Sequence, residues 1–177
     1  MRVLEEERQR LWETVSDGEL SLTGGASLPG ALTFGDVDLH LRVPLGEFDA
    51  ASYALRAVYS VVHPDIWESG FATFEVPRVE PPTGIALTAI DGEHDRLFRR
   101  SWQLLAAGPR LLADYNEMKR RHFGADPEAY RSAKSAFFAW LIEGTGAELP
   151  AQQARPSRRA GSRRLPDQGG HVPRRPG

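Results

Sequence analysis

The stretch 24-GGASLPGALTFGDVDLHLRV-43 decides how this chain is read. From residue 36 it alternates strictly. Val37, Leu39, Leu41 and Val43 share one side, and Asp36, Asp38, His40 and Arg42 the other, which predicts a β-strand. Gly24-Gly25 follow a short run, ELSLT (19–23), that reads as a strand of its own. Pro29, Gly30 and Gly35 predict a loop over 26–35 with room for one helical turn. Residues two apart on a strand project the same way, roughly 6.5–7 Å apart along the chain. Asp36 and Asp38 can therefore converge on Mg²⁺, an ion that takes a few protein oxygens together with substrate phosphates. A glycine turn beside them lets the backbone approach a phosphate with its N–H groups as donors.

Outward from this stretch the periodicity predicts a helix over 3–15 (Leu4, Leu11, Trp12, Val15) and another over 47–60 (Phe48, Ala51, Leu55, Val58). FATFEV (71–76) and GIALTAI (84–90) read as strands separated by the breaker PRVEPPT. Three helices follow. The first, over 93–106, carries Leu97, Phe98, Trp102 and Leu105 and ends at Gly108; the second covers 109–123. The third opens at Asp126-Pro127, an N-cap followed by proline at the first helical position, and stops at Gly144. The four tryptophans, Trp12, Trp67, Trp102 and Trp140, read as packing residues. The order predicts an α/β (α+β) fold: a small mixed sheet with helices on one face and a C-terminal helical cluster.

The 177-residue length suits one domain with a real core, placed at 1–150. Residues 151–177 hold Pro, Gly, Ser, Gln, seven Arg and one Asp, and are expected to be disordered. That leaves 15 basic against 23 acidic residues in 1–150, an acidic body that needs a metal ion or a local basic patch to hold polyphosphate. The absence of cysteine excludes disulfides, thiolate metal sites and cysteine nucleophiles. No apolar run is long enough to span a bilayer, and the charged start MRVLEEERQRLWE is unlike a signal peptide, so a cytoplasmic protein without membrane contact is expected.

The strand, glycine pair, ten-residue spacer and Asp-hydrophobic-Asp resemble the signature of the DNA polymerase β-type nucleotidyltransferase superfamily. Within it the chain is similar to the GrpB family. Gly24, Ser27, Pro29, Gly30 and Asp38 match that family's loop, and Tyr115, Lys119, Tyr130, Lys134 and Phe137 match its C-terminal half. Phe34 stands where the family has a lysine, Gly25 where it has serine, and its histidine-bearing strand falls on IALTAI, which has no histidine. The resemblance implies a nucleotidyltransferase-type sheet and Mg²⁺-dependent transfer of a nucleoside monophosphate from an NTP to a small-molecule or macromolecular acceptor. Asp36 and Asp38 would hold the metal, and a third carboxylate would join them from Glu75 or its competitor Asp91. Gly24, Gly25 and Ser27 would meet the phosphates, and Lys119 or Lys134 would offset developing charge. GrpB-type domains also occur fused to a coenzyme A biosynthesis kinase, which implies that a non-catalytic module binding a nucleotide or other phospholigand is possible.

Each residue has a plainer alternative. Asp36, Asp38, His40 and Arg42 read equally as a solvated strand face, with His40 a candidate ligand. Gly24-Gly25 read as a plain tight turn. Lys119 and Lys134, the only two lysines beside twenty arginines, read as helix-surface charges. Each nevertheless sits four residues after a tyrosine, on one helical face with it. The arginine-rich tail would contact nucleic acid weakly and electrostatically, with no aromatic residue for stacking.

Overall fold

The computed structural model of the protein describes residues 2–15, 17–124 and 126–144. The arginine-rich segment 151–177 and the end of the expected domain at 145–150 lie outside the described residues. Five strands form one mixed sheet: β1 (Glu19–Thr23), β2 (Val37–Val43), β3 (Ser60–Val61), β4 (Phe71–Glu75) and β5 (Thr83–Ala89), in the spatial order β1-β2-β5-β4-β3. Only the central pair β2–β5 is parallel; the other three pairs are antiparallel. Helices α1 (Arg2–Trp12) and α2 (Phe48–Leu55) precede and follow β2, and α3 (Glu93–Ala107), α4 (Pro109–Arg121) and α5 (Pro127–Glu143) come after the last strand.

The alternation of β2 sorts the two halves of the core. Leu39, Leu41 and Val43 are essentially inaccessible and pack with Ile85, Leu87, Ala72 and Phe74 beneath Leu4, Leu11, Ala51 and Leu55 of α1 and α2. Burying each such leucine contributes about 1.5–3 kcal/mol. The residues between them face the other way, where Phe71 and Ala86 meet an aromatic cluster of Phe98, Trp102, Tyr115, Phe137 and Phe138 from α3, α4 and α5. The helical cluster is therefore a third layer covering the polar side of β2. Asp38 and His40 are buried, and a solvated strand face is overturned.

Two helix boundaries differ from the periodicity. α1 stops at Trp12, which is 68% exposed and so does not pack in the core as expected. α2 ends at Leu55 instead of continuing to residue 60. The β-branched and aromatic run Val58-Tyr59-Ser60-Val61-Val62 satisfies its backbone on the edge of β4, with Ser60 opposite Glu75 and Val61 opposite Phe74. Tyr59 instead turns inward, its hydroxyl donating to the buried Glu7 carboxylate at 2.7 Å and tying the segment between α2 and β3 to α1. The start of α5 is as the sequence reads: Asp126 accepts from the N–H groups of Glu128 and Ala129. Among the described residues no helix is long and apolar enough to cross a membrane.

Leu41→Ala should cost about 2–5 kcal/mol in urea unfolding, because the sheet around it cannot collapse onto the void. Tyr53→Ala, at a site 81% exposed, should stay within about 0.5 kcal/mol of the parent.

Candidate functional site

β1 ends at Thr23, which lies opposite Asp38 of β2. The next residue, Gly24, has φ +69, a left-handed backbone that favours glycine. A Cβ placed on Gly24 would lie 1.9 Å from Oδ2 of Asp38, so the carboxylate rests against the bare Cα. The glycine bend and the acid thus meet as the sequence spacing requires. Ser27 shapes the bend: its Oγ donates to the Gly24 carbonyl at 2.8 Å, and its N–H reaches the same oxygen at 3.2 Å.

The loop that follows is held from above by α4. Oδ1 of Asn116 accepts from the Leu32 N–H at 2.7 Å, and its Nδ2 donates to the Gly30 carbonyl at 2.9 Å. One turn further along α4, Lys119 Nζ donates to the Leu32 carbonyl at 2.8 Å. The same ammonium lies 4.6 Å from the centre of the Phe34 ring and 5.4 Å from that of Tyr115. A Cβ on Gly25 would be 3.4 Å from it. α4 thus brings a cation to the loop at Leu32 and Phe34. Asn116 carries no motif signal. The sequence marks it only by its place beside Tyr115 on the buried face of α4.

Lys119 and Lys134 are each 4% exposed, which removes the reading of both as surface charges. Burial pushes the Lys119 amine down, as does the neighbouring Lys134, while Asp36 and Asp38 push it back up. The Tyr115 hydroxyl is pushed up by burial; Lys134 opposes this, and Tyr130, Asp38 and Asp36 add to it. Two aspartates, two lysines and two tyrosines are thus within electrostatic reach of one another, with Lys119 and Asp38 beside the glycine bend.

Glu75 is placed by register. Asp38 and Glu75 both lie opposite Gly84, one on either side of β5, so the three residues form a row on one face of the sheet. The central position of that row carries no side chain, and the outer strands lie roughly 9.5 Å apart. Asp91 follows the far end of β5 and approaches Arg99 at 3.7 Å, which takes it away from Asp38 and out of the competition. Among the described residues no three His, Asp or Glu side chains group as metal ligands. Two carboxylates are too few to surround an ion, so any Mg²⁺ at Asp36 and Asp38 would need phosphates and water to complete its shell.

A second polar cluster, which sequence reasoning missed, occupies the other end of β2. Asp95, wholly inaccessible, receives Arg42 Nε at 2.6 Å and Nη2 at 2.9 Å, and the Asp91 N–H at 2.9 Å. Burial would raise its carboxyl, but Arg42 and that N–H outweigh it and hold the group below the usual range. His40, a candidate ligand in the sequence, instead bonds Thr88 at 2.8 Å and packs on Phe98. Desolvation lowers its pKa to about 4; Asp95 opposes this, and Arg42 and Arg99 add to it. The available signal was the stripe 95-98-102-105 of α3, which puts an aspartate on an otherwise apolar face. On the opposite side of the sheet a cavity of about 290 Å³ opens between the turn after α1 and α2, lined in part by Thr14, Asp17, Glu47 and Ala51.

The chain's likeness to known proteins is one of shape. No family model matches it, and no curated protein matches it. Among solved structures it is similar to the conserved protein GrpB from Enterococcus faecalis, with a TM-score of 0.63 and 18% identity over 80% of this chain and 89% of that one. The protein has a GrpB-like fold, as the loop and helix motifs implied.

Gly24→Ala should destabilise the protein by about 1–3 kcal/mol, from backbone strain and overlap with the Asp38 carboxylate. Adding Asp38→Ala should recover part of that loss, and simple additivity in urea titrations would refute the contact. The folded-state pKa of His40 lies below the ordinary 6.5, so the unfolded chain takes up this proton first. Stability should hold above pH 6.5 and fall between 6.5 and about 4. The linked loss approaches about 3 kcal/mol. Urea midpoints across that window should show a slope that His40→Gln flattens.

Proposed function

We propose that this protein binds a phosphorylated ligand beside the Gly24–Gly25 bend, with Lys119 and Lys134 as its cationic partners. The observation that carries the reading is the burial of these two ammonium groups, the chain's only lysines, next to a glycine bend and within the electrostatic reach of Asp36 and Asp38. An ammonium has three N–H donors, and the Leu32 carbonyl takes one from Lys119. An arriving phosphate would meet a desolvated cation in a site whose low dielectric strengthens the attraction. Gly24 makes room for the Asp38 carboxylate, and Gly25 leaves the backbone bare on the side of the Lys119 ammonium. Asp36 and Asp38 would hold one Mg²⁺ brought with the phosphates, which would neutralise charge on phosphate oxygens. That ion answers the need of an acidic body for positive charge.

A second reading, nucleotidyl transfer, is favoured by the Asp38–Gly84–Glu75 row. Glu75 on the same face of the sheet would accept the proton of an acceptor hydroxyl as that oxygen attacks the α-phosphorus and pyrophosphate leaves. Lys119 and Lys134 would bind and orient the departing phosphates.

Calorimetry with inorganic tripolyphosphate tests the first reading. Binding should weaken by about tenfold or more in Lys119→Met or Lys134→Met, each of which removes a charge-assisted hydrogen bond. Unchanged affinity in both variants, with circular dichroism confirming the fold, would reject it. Pyrophosphate release from Mg²⁺-NTP that disappears in Asp38→Asn would support the second reading, whereas release unaffected by that change would exclude it.

A further inference from the structure

The cavity of about 290 Å³ beside α2 lies on the other side of the sheet from the lysine pocket. It is small for a metabolite and large enough for one long side chain. Among its lining residues Val15, Val43 and Ala51 are buried and apolar, whereas Asp17 and Glu47 are exposed carboxylates. The charges of this half of the chain are unevenly matched. Residues 1–92 hold fifteen Asp and Glu against six Arg, whereas 93–150 are close to balance. On α1 the acids meet arginines of the same helix: Glu6 pairs with Arg2, Glu5 with Arg8 and Glu7 with Arg10. Asp17 and Glu47 have no basic partner among the described residues.

We infer that this groove is the docking place of the chain's own basic stretch, Arg158-Arg159 to Arg163-Arg164, one of whose arginines enters the cavity between Asp17 and Glu47. The chemistry selects an arginine. A guanidinium is a flat fork of N–H donors that two carboxylates can share, and its aliphatic stem suits an apolar lining of Val15, Ala51 and Ala54. The segment 151–177 holds seven arginines, one Asp and no lysine, so its charge complements that of the groove. Length permits the return from α5, which packs on the far face of the sheet. The basic stretch lies roughly 15–21 residues beyond Glu143, a span of about 50–75 Å when extended. A body of this size has a radius of gyration of about 14 Å, so a path around the sheet falls within that span. Exposed ion pairs are individually weak, but a linker of this kind holds its end near the body at roughly millimolar effective concentration, which populates a weak contact. Docking takes the same arginines away from any polyanion, so the groove and a nucleic acid compete for them. None of this depends on the lysine pocket.

The chain has no cysteine, so Ser162→Cys carries a single nitroxide label in the full chain. Paramagnetic broadening of backbone amide signals then reads which residues the basic stretch visits. At low salt it should be strongest at Thr14, Asp17, Glu47, Ala50 and Ala54. It should fall at least about twofold there when Asp17→Asn and Glu47→Gln are combined, and likewise without them at about 0.5 M salt, where the Debye length is roughly 4 Å. Broadening that spreads evenly over the surface, centres elsewhere, or is unmoved by both changes overturns the proposal. So does broadening that appears only between molecules, seen by mixing nitroxide-bearing chains with separate isotope-labelled chains, which would assign the groove to a second copy. Asp17 and Glu47 are exposed, so the substituted protein should fold, and the salt titration tests the contact with neither acid replaced.

Discussion

Asp38 places a carboxylate oxygen in the volume that any side chain on residue 24 would occupy. That close approach governs the half of the molecule in which chemistry is expected. It sets where β1 leaves the sheet, demands a left-handed glycine at the bend, and holds an acid within reach of loop backbone. The loop from 25 to 34 then has one way to run, over the edge of β2 and under α4. There Asn116 and Lys119 take up its backbone groups at Gly30 and Leu32. Those groups are part-buried, and a helix side chain satisfies them in place of water.

The polar face of β2 is an uncommon one for a small domain. Burying a charge costs several kcal/mol unless it is paired, and pairing seldom recovers more than the cost. Here two arrangements meet that cost at opposite ends of one strand. At the Arg42 end the pairing is closed: Asp95 is saturated by the guanidinium and a backbone N–H, and His40 stays neutral between Thr88 and Phe98. At the Asp38 end Lys119 is buried with Lys134, Asp36 and Asp38 in electrostatic reach, and donates to the Leu32 carbonyl. The Arg42–Asp95 pair joins α3 to the sheet.

The GrpB-like fold establishes the arrangement of the layers, and function has to be argued from the site within it. Within it the ammonium of Lys119 rests over the Phe34 ring and close to Gly25.

Much of the sheet was legible in the sequence because a pleated strand records its two faces residue by residue. Val37 to Val43 alternates, the glycine pair marks the bend, and Asp126-Pro127 announces the last helix. The Tyr-x-x-x-Lys spacing on α4 and α5 gave each pair a common face, since that distance is one helical turn. Where α2 would stop was not legible, because residues 56–61 continue a helical periodicity and only the open edge of β4 makes extended backbone the better partner for them. Nor could the sequence tell that the Asp38 face is covered. A strand pattern states which residues share a side, whereas what lies over that side depends on three helices folding back from more than fifty residues away. For the same reason Asn116 and Asp95 were invisible. Their side-chain partners are remote in the chain, so no local spacing encodes them, and the tertiary structure alone decided which polar groups are buried together.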